Sequence, residues 1–202
     1  HTVMDPEQFM CPMTLINYHG YPVERHEAIT RDGYILSLFR IPHGRNVNLV
    51  SSTGKRPVVV IQHGLLTSCW DSISNLPEKA LAFVLADAGI DVWLSNSRGS
   101  YYSPQHVFLK ANDPPYWRFS WDEMARYDIP AVIDTVLNKT GVDQLYYVGH
   151  SQKGIFQNNE FFFSKYFVSK VKYFFAMAPL ITKQYSKGSI MKVVMMFRKE
   201  IE

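Results

Sequence analysis

The sequence predicts an α/β fold with a mostly parallel sheet that is covered by helices on both faces. Residues 57–62 and 90–94 are short, mainly apolar runs with little polar alternation, as in strands that are buried on both faces. Between them, residues 76–88 carry apolar side chains at helical spacing and end at Gly89. A strand, a helix and a strand in this order predict a right-handed crossover that joins parallel strands.

Four further segments extend this sheet. Residues 24–30 and 34–41 flank the turn sequence Arg31-Asp32-Gly33, and this pattern predicts a β-hairpin. Residues 145–148 and 171–178 are again apolar and rich in β-forming side chains, and they predict a third and a fourth buried strand. Strands that alternate with helices predict a sheet with helices on both faces.

The segments outside the sheet are helical or irregular. Residues 121–138 have an apolar face and predict a helix that is restarted by Asp128 ahead of Pro130. Residues 46–56 are polar and predict a surface loop. Residues 1–23 predict a packed lead-in with a short helix or an arm. Its candidate apolar contacts are Met4, Phe9, Met10, Leu15 and Ile16.

Composition favours one globular domain, since 202 residues with 47% hydrophobic side chains can bury a sizeable core. We divide it into a lead-in (1–23), a core (24–180) and a divergent tail (181–202). The net charge of +3 is dispersed, and lysines between residues 165 and 172 favour a solvated helix face over a nucleic-acid site. No apolar run approaches the ~18 residues of a transmembrane helix. Cys11 and Cys69 fit a disulfide bridge and two buried thiols equally well.

Ser151 is the candidate nucleophile. It follows the predicted strand 145–148 and Gly149, where a buried strand should turn sharply into a helix. The G-x-S-x-G elbow needs glycine on both sides because the strand and helix backbones approach closely there. The second glycine position holds Lys153, and Gly154 comes one residue late. A serine after a strand is ordinarily a helix N-cap, so the elbow needs support from elsewhere in the chain.

That support comes from the turn at His63 and Gly64, directly after the predicted strand 57–62. Acyl transfer needs two backbone N–H groups that point at the developing oxyanion. In α/β-hydrolases one follows the nucleophile and the other lies in a loop after an earlier strand. Leu65 and Gln152 occupy these positions. The two motifs together favour nucleophilic catalysis over an N-cap, with His63, Gly64 and Gly149 as supporting residues.

A serine nucleophile also needs a base, and the sequence does not supply it in the expected order. The fold places the nucleophile first, then an acid, then a histidine. Residues 152–202 contain neither Asp nor His. His150 is predicted to be a packing residue, because neighbouring side chains diverge at such a turn. His63 either orients the oxyanion turn or is an ordinary buried imidazole. The histidines, all of which precede Ser151, are His1, His19, His26, His43, His63, His106 and His150.

The motifs in their order resemble the animal acid lipase family, which comprises the lysosomal acid and gastric lipases and their invertebrate relatives. The resemblance covers about residues 10–152. It rests on DGYIL at 32–36, RIPHG at 40–44, QHGLL at 62–66, LADAG at 85–89, DVW at 91–93, NSRG at 96–99, WDEMA at 121–125, YD at 127–128 and YVGHSQ at 147–152.

The resemblance implies a secreted or lysosomal, glycosylated α/β-hydrolase of lipid degradation that cleaves triacylglycerols or sterol esters at a micelle or membrane surface. It implies no metal, no organic cofactor and no nucleic-acid partner. It assigns Ser151 as the serine nucleophile, and Leu65 and Gln152 as the oxyanion hole. It also makes Asn138 of the sequon Asn138-Lys139-Thr140 a glycosylation site.

The resemblance also has limits. The lid and the triad acid and histidine of the family lie in a further C-terminal half, so we expect a truncated fold and an inactive form in these 202 residues. Residues 153–168 depart from the family pattern, through either divergence or a sequence error. The alternative function is a non-catalytic lipid-binding or interaction protein on a truncated hydrolase fold.

Overall fold

The computed structural model describes residues 6–45, 55–151 and 164–178. Its strands are β1 Glu24–Ile29, β2 Tyr34–Ile41, β3 Val58–Gln62, β4 Asp91–Ser95, β5 Gln105–His106, β6 Leu145–His150 and β7 Val171–Met177. Its α-helices are α1 Pro12–Tyr18, α2 Leu81–Asp87, α3 Trp121–Glu123, α4 Ile129–Thr140 and α5 Lys165–Lys170. A π-helical turn, Met124–Asp128, joins α3 to α4, and short 3-10 helices lie at Pro6–Phe9, Cys69–Ser72 and Pro114–Trp117.

The strands form one mixed sheet in the order β1-β2-β4-β3-β6-β7, with β5 paired to β2. The pairs β4–β3, β3–β6 and β6–β7 are parallel, whereas β1–β2 and β2–β4 are antiparallel. This arrangement confirms the predicted hairpin, the four predicted strands and the parallel crossover. Because β3 lies between β4 and β6, the turns that follow these three strands meet at one edge of the sheet.

The core lies on both faces of the sheet, and β3 shows the division. All five of its residues are buried, as the unbroken apolar run predicts. Val58 and Val60 pack in one cluster with α4, while Val59 and Ile61 pack in the other with α1 and α2. Successive strand residues point to opposite faces, so helices cover both sides of the sheet, as predicted.

Two predicted helix boundaries are wrong. The helix expected over residues 76–88 begins only at Leu81, because the preceding residues form turns in which Leu76 O accepts from the N–H groups of Lys79 and Ala80. The helix expected over residues 121–138 is not restarted at Asp128. It begins at Trp121 behind a capping box of Ser120 and Glu123.

The π-helical turn explains why no new cap is needed before Pro130. Proline lacks an N–H group and interrupts the α-helical hydrogen-bond pattern, and a π turn shifts that pattern by one residue. Asp128 therefore has helical backbone angles and makes no capping hydrogen bond. Its side chain points instead at Arg98.

The lead-in contains the predicted short helix, α1, whose Leu15 and Ile16 are fully buried. Phe9, by contrast, is exposed. Met4, residues 46–54 of the predicted loop and the tail 181–202 lie outside the described residues. Both cysteines are free thiols, exposed at Cys11 and buried at Cys69. The described residues contain no helix that is long and apolar enough to span a membrane.

Two valines on helices provide a test of this core. Val136 of α4 is fully buried, whereas the side chain of Val84 on α2 is 43% exposed. We expect Val136→Ala to lower the free energy of unfolding by about 1.5–3 kcal/mol through lost burial and a residual cavity. Val84→Ala should change it by less than about 0.5 kcal/mol. Urea unfolding of the longest soluble form of the protein measures both, and equal effects would contradict the packing described.

Candidate active site

Ser151 lies directly after β6, in a backbone conformation that serine seldom adopts. Its φ angle is 52°, in the left-handed region, which costs a non-glycine residue on the order of 1–3 kcal/mol. Its N–H donates to the carbonyl of Met177, at the end of β7, over 2.9 Å. The side chain is partly exposed. Such strain at the end of a central strand is the mark of a nucleophile elbow, since it lifts the hydroxyl out of the sheet.

The turn after β3 packs directly against this elbow. A β-carbon placed on Gly64 would lie 3.2 Å from the carbonyl oxygen of His150 and 3.3 Å from the β-carbon of Ser151. A side chain at this position would require the neighbouring backbone to shift by a few tenths of an ångström, so glycine favours this close approach. Gly149 is buried within β6 and pairs with Gln62 of β3. The structure therefore brings the predicted residues Gly64, Gly149 and Ser151 together.

The peptide between Gly64 and Leu65 is held through its carbonyl group. The Gly64 oxygen lies 2.7 Å from His63 Nδ1 and accepts a hydrogen bond from the Thr67 hydroxyl at 3.3 Å. In a trans peptide the C=O and the next N–H point in opposite directions. The N–H of Leu65 consequently points away from His63, and no acceptor within the described residues binds it.

His63 is buried and its tautomer is fixed by two backbone groups. The N–H of Ser97 donates to Nε2 over 3.1 Å, so Nε2 carries a lone pair. Nδ1 then carries the proton and donates it to the Gly64 carbonyl. Burial lowers the pKa of His63 below its ordinary value, against a smaller opposing effect of the bond to Gly64. His63 is therefore a neutral, buried imidazole whose two nitrogens are both hydrogen-bonded, and its role in orienting an oxyanion turn stays a prediction.

A layer of buried polar residues lies beneath the turn, and sequence reasoning assigned no role to it. The amide nitrogen of Gln62 donates to the Ser97 hydroxyl over 2.9 Å, and its amide oxygen accepts from the Ser95 hydroxyl. Asn96 accepts from the N–H of Cys69 at 3.0 Å and donates to the carbonyl of Ser37 at 3.1 Å. The available signal was the presence of polar residues at the ends of two otherwise apolar strands.

Arg98 lies in the turn after β4, and its side chain is fully buried between two carboxylates. Its guanidinium lies 2.6 Å from Asp32 and 2.6 Å from Asp128. Burial disfavours the charged form, but the hydrogen bonds to both carboxylates outweigh burial and raise the pKa of Arg98. The guanidinium carbon also lies 4.0 Å from the centre of the Tyr34 ring. Sequence reasoning used these residues only as parts of motifs.

The other predicted site residues have mixed outcomes. The second proposed oxyanion donor, Gln152, and the anomalous Lys153 lie outside the described residues. The packing role predicted for His150 is wrong, because this last residue of β6 is exposed. Asn138 is exposed, and it lies on α4. No group of three or more possible metal ligands occurs among residues 6–45, 55–151 and 164–178.

An open cavity of about 600 Å³ adjoins the turn after β3. Leu66 and Thr67, which follow Leu65 in the turn, form part of its wall. Leu66 is 84% exposed and Tyr101 is 86% exposed, so the rim is apolar and accessible. The remaining lining residues are Gln8, Met10, Ser68, Trp70, Asp71 and Tyr102.

Two family models match the chain. One, described as a partial alpha/beta-hydrolase lipase region, matches residues 13–76. The other, described as the alpha/beta hydrolase fold, matches residues 57–156. Among solved structures, the epoxide hydrolase CorEH has a TM-score of 0.52 at 15% identity, covering 87% of this chain and 50% of its own. A mutant of potato epoxide hydrolase has a TM-score of 0.54 at 16% identity, covering 89% and 47%. This likeness shows the fold alone.

Curated relatives are more similar in sequence. Lipase member K of Mus musculus is 45% identical over 201 residues, which are 100% of this chain and 50% of the relative. The gastric triacylglycerol lipase of Bos taurus is 47% identical over 191 residues, covering 95% and 48%. Lipase member M of Homo sapiens is 46% identical over 185 residues, covering 92% and 43%. The chain thus spans about half the length of these relatives.

The sheet order, the strained serine after β6 and the facing glycine turn define an α/β-hydrolase. Within this class, the chain belongs to the acid lipase family and corresponds to the N-terminal part of its members. The family resemblance found in the sequence motifs is therefore confirmed.

The lowered pKa of His63 predicts how stability depends on pH. The unfolded histidine has a pKa of about 6.5, and the folded one lies below it. The stabilising contribution is therefore complete above about pH 6.5 and falls on acidification until the folded pKa is reached, by at most about 1.4 kcal/mol per pH unit. Urea unfolding between pH 7.5 and 5 should show a shallower pH dependence in His63→Gln than in the wild type. Equal slopes would contradict the buried neutral imidazole.

Proposed function

We propose that the protein hydrolyses carboxylic esters of lipids through an acyl-enzyme on Ser151. The observation that carries this proposal is the strained backbone of Ser151, which is packed against the Gly64 turn. A helix cap requires neither feature. The names of the relatives, gastric triacylglycerol lipase among them, support a lipid ester as the substrate.

In the proposed reaction, the Ser151 hydroxyl attacks the ester carbonyl and its proton passes to a base. The carbonyl oxygen becomes an oxyanion, which accepts hydrogen bonds from the N–H groups of Leu65 and Gln152. Collapse of the tetrahedral intermediate expels the alcohol, which takes up the proton. Water then attacks the acyl-enzyme and releases the carboxylic acid. The unbound N–H of Leu65 supports its assignment as one of the two donors.

The base must be a residue other than His63 and His106, because the ring nitrogens of both are already hydrogen-bonded to backbone groups. Both nitrogens of His63 are bound to backbone groups. His106 is held similarly, with Nε2 at 2.8 Å from the carbonyl of Asp32 and Nδ1 accepting from two backbone N–H groups. We propose that the acid and the histidine lie in a C-terminal half that these 202 residues do not include. The relatives, which are about twice as long, support this proposal.

The open cavity beside the turn after β3 has apolar and aromatic residues among its lining, and these support a substrate with a hydrocarbon part. Its wall begins at Leu66, the residue next to the proposed donor Leu65. An ester carbonyl bound at that N–H would have one of its arms near this surface. Triacylglycerols and sterol esters both fit this chemistry, and the micelle or membrane surface that contains them is the proposed partner.

The first test is made on the longest product of the gene, with a short-chain nitrophenyl ester and a fluorophosphonate probe. We expect turnover, covalent labelling at Ser151 and loss of both in Ser151→Ala, which removes only the hydroxyl. The lost rate should be on the order of 10⁴-fold or more. Ser120→Ala is the matched control, because that serine caps α3 and should leave turnover unchanged. Binding to lipid micelles without labelling would instead establish the non-catalytic alternative.

We further propose that the protein is secreted or lysosomal and carries an N-glycan on Asn138. The exposure of this side chain on α4 supports the assignment. In protein from a eukaryotic secretory host, glycosidase treatment should lower the mass by that of one glycan at this site. Asn138→Gln should abolish the shift, whereas Asn75→Gln, outside any sequon, should retain it. An unglycosylated Asn138 peptide in secreted protein would contradict the proposal.

A further inference from the structure

The residue after Ser97 is held by one carboxylate through both its main chain and its side chain. The N–H of Arg98 lies 3.4 Å from Asp128 Oδ2. Its Nε and Nη2 atoms donate to Asp128 Oδ1 at 2.8 and 2.6 Å. A shift of the Asp128 carboxylate therefore moves the backbone at Arg98 as well as the guanidinium.

The surroundings of Arg98 prevent it from adjusting independently. Asp32 binds the other side of the guanidinium, at 2.6 and 3.0 Å. The following residue, Gly99, has a φ angle of 71°, and a β-carbon there would lie 2.8 Å from the Trp117 ring. The backbone at Arg98 and Gly99 is thus constrained by Asp128, Asp32 and the Trp117 ring.

This turn is connected to the proposed oxyanion donor by a continuous path. Ser97 directly precedes Arg98, and its backbone N–H donates to Nε2 of His63. Nδ1 of His63 fixes the Gly64 carbonyl, and this carbonyl sets the direction of the Leu65 N–H. We propose that Asp128, through Arg98, is a positioning residue that aims the Leu65 N–H at the oxyanion of the reaction. This inference rests on the proposed function.

Kinetic constants distinguish a positioning role of Asp128 from a purely structural one. The oxyanion carries full charge only near the transition state, so a misdirected N–H weakens transition-state binding more than substrate binding. A defect at Asp128 should therefore lower kcat and leave KM nearly unchanged. A buried ion pair that merely stabilised the fold would change neither at a temperature where the variant is folded.

Asp128→Asn is the decisive variant, since it retains the shape of the side chain and removes its charge. In the full-length protein we expect kcat for a short-chain nitrophenyl ester to fall about tenfold, which is less than the 10²–10³-fold effect of deleting a donor outright. KM should stay within about twofold. Asp134→Asn is the matched control: it lies on α4, which follows the π-helical turn of Asp128, and its carboxylate binds Lys170 and Tyr166 instead of Arg98. It should leave kcat unchanged.

A double-mutant cycle separates positioning from general destabilisation. If Asp128 acts through His63, then the double variant His63→Gln/Asp128→Asn should have nearly the same kcat as His63→Gln alone. If the fold-losses in kcat of the two single variants multiply in the double variant, the two residues act independently and the proposal is overturned. An unchanged kcat in Asp128→Asn would also overturn it. Thermal unfolding of each variant confirms that the rates are measured on folded protein.

Two further measurements test the positioning role if Asp128→Asn does not fold or if the wild type is inactive. If Asp128→Asn does not fold, Asp32→Asn replaces it, because Asp32 is partly exposed and its carboxylate binds the guanidinium and the Thr30 hydroxyl but not the main chain of Arg98. A loss in kcat of about twofold to fivefold is expected there, and no loss overturns the proposal. If the wild type shows neither turnover nor labelling, the proposed function fails. Nitrogen NMR of His63 then decides: an unchanged Nδ1–H tautomer and environment in the variant overturns the positioning role.

Discussion

The hydrogen bond from His63 to the Gly64 carbonyl determines the geometry on which the rest of the site depends. It fixes one peptide plane, and that plane faces the elbow through a close contact that glycine favours. Because β3 lies between β4 and β6, the turn that contains this bond also contacts Ser97 after β4 and Ser151 after β6. The sheet order thus brings together a histidine, a glycine and a serine from distant parts of the chain.

The polar groups under the site illustrate how a buried network is kept satisfied. A buried polar side chain costs free energy unless it is hydrogen-bonded. Gln62 binds the hydroxyls of Ser95 and Ser97, and Asn96 binds two backbone groups. At this edge of the sheet, β3 and β4 therefore change from apolar to polar side chains, and these polar groups hold the following turns in place.

Much of this arrangement could be predicted from sequence because it depends on local patterns. The apolar run at residues 57–62 and the glycines around His63 and Ser151 indicated the central strand and both turns. The role of Asp128 could not be predicted, because local rules make an aspartate before an Ile-Pro pair a helix cap. Its actual partner, Arg98, is distant in sequence and lies next to it only after the sheet forms.

The hydrogen bond from Ser151 to Met177 has a consequence for the order of assembly. A strained turn is populated only when surrounding contacts hold it, and this contact comes from a strand that is synthesised after the serine. The elbow should therefore relax to ordinary backbone angles on a nascent chain and adopt its final shape once β7 has paired with β6. A reactive serine would then arise late in folding, when the sheet beside it is already formed.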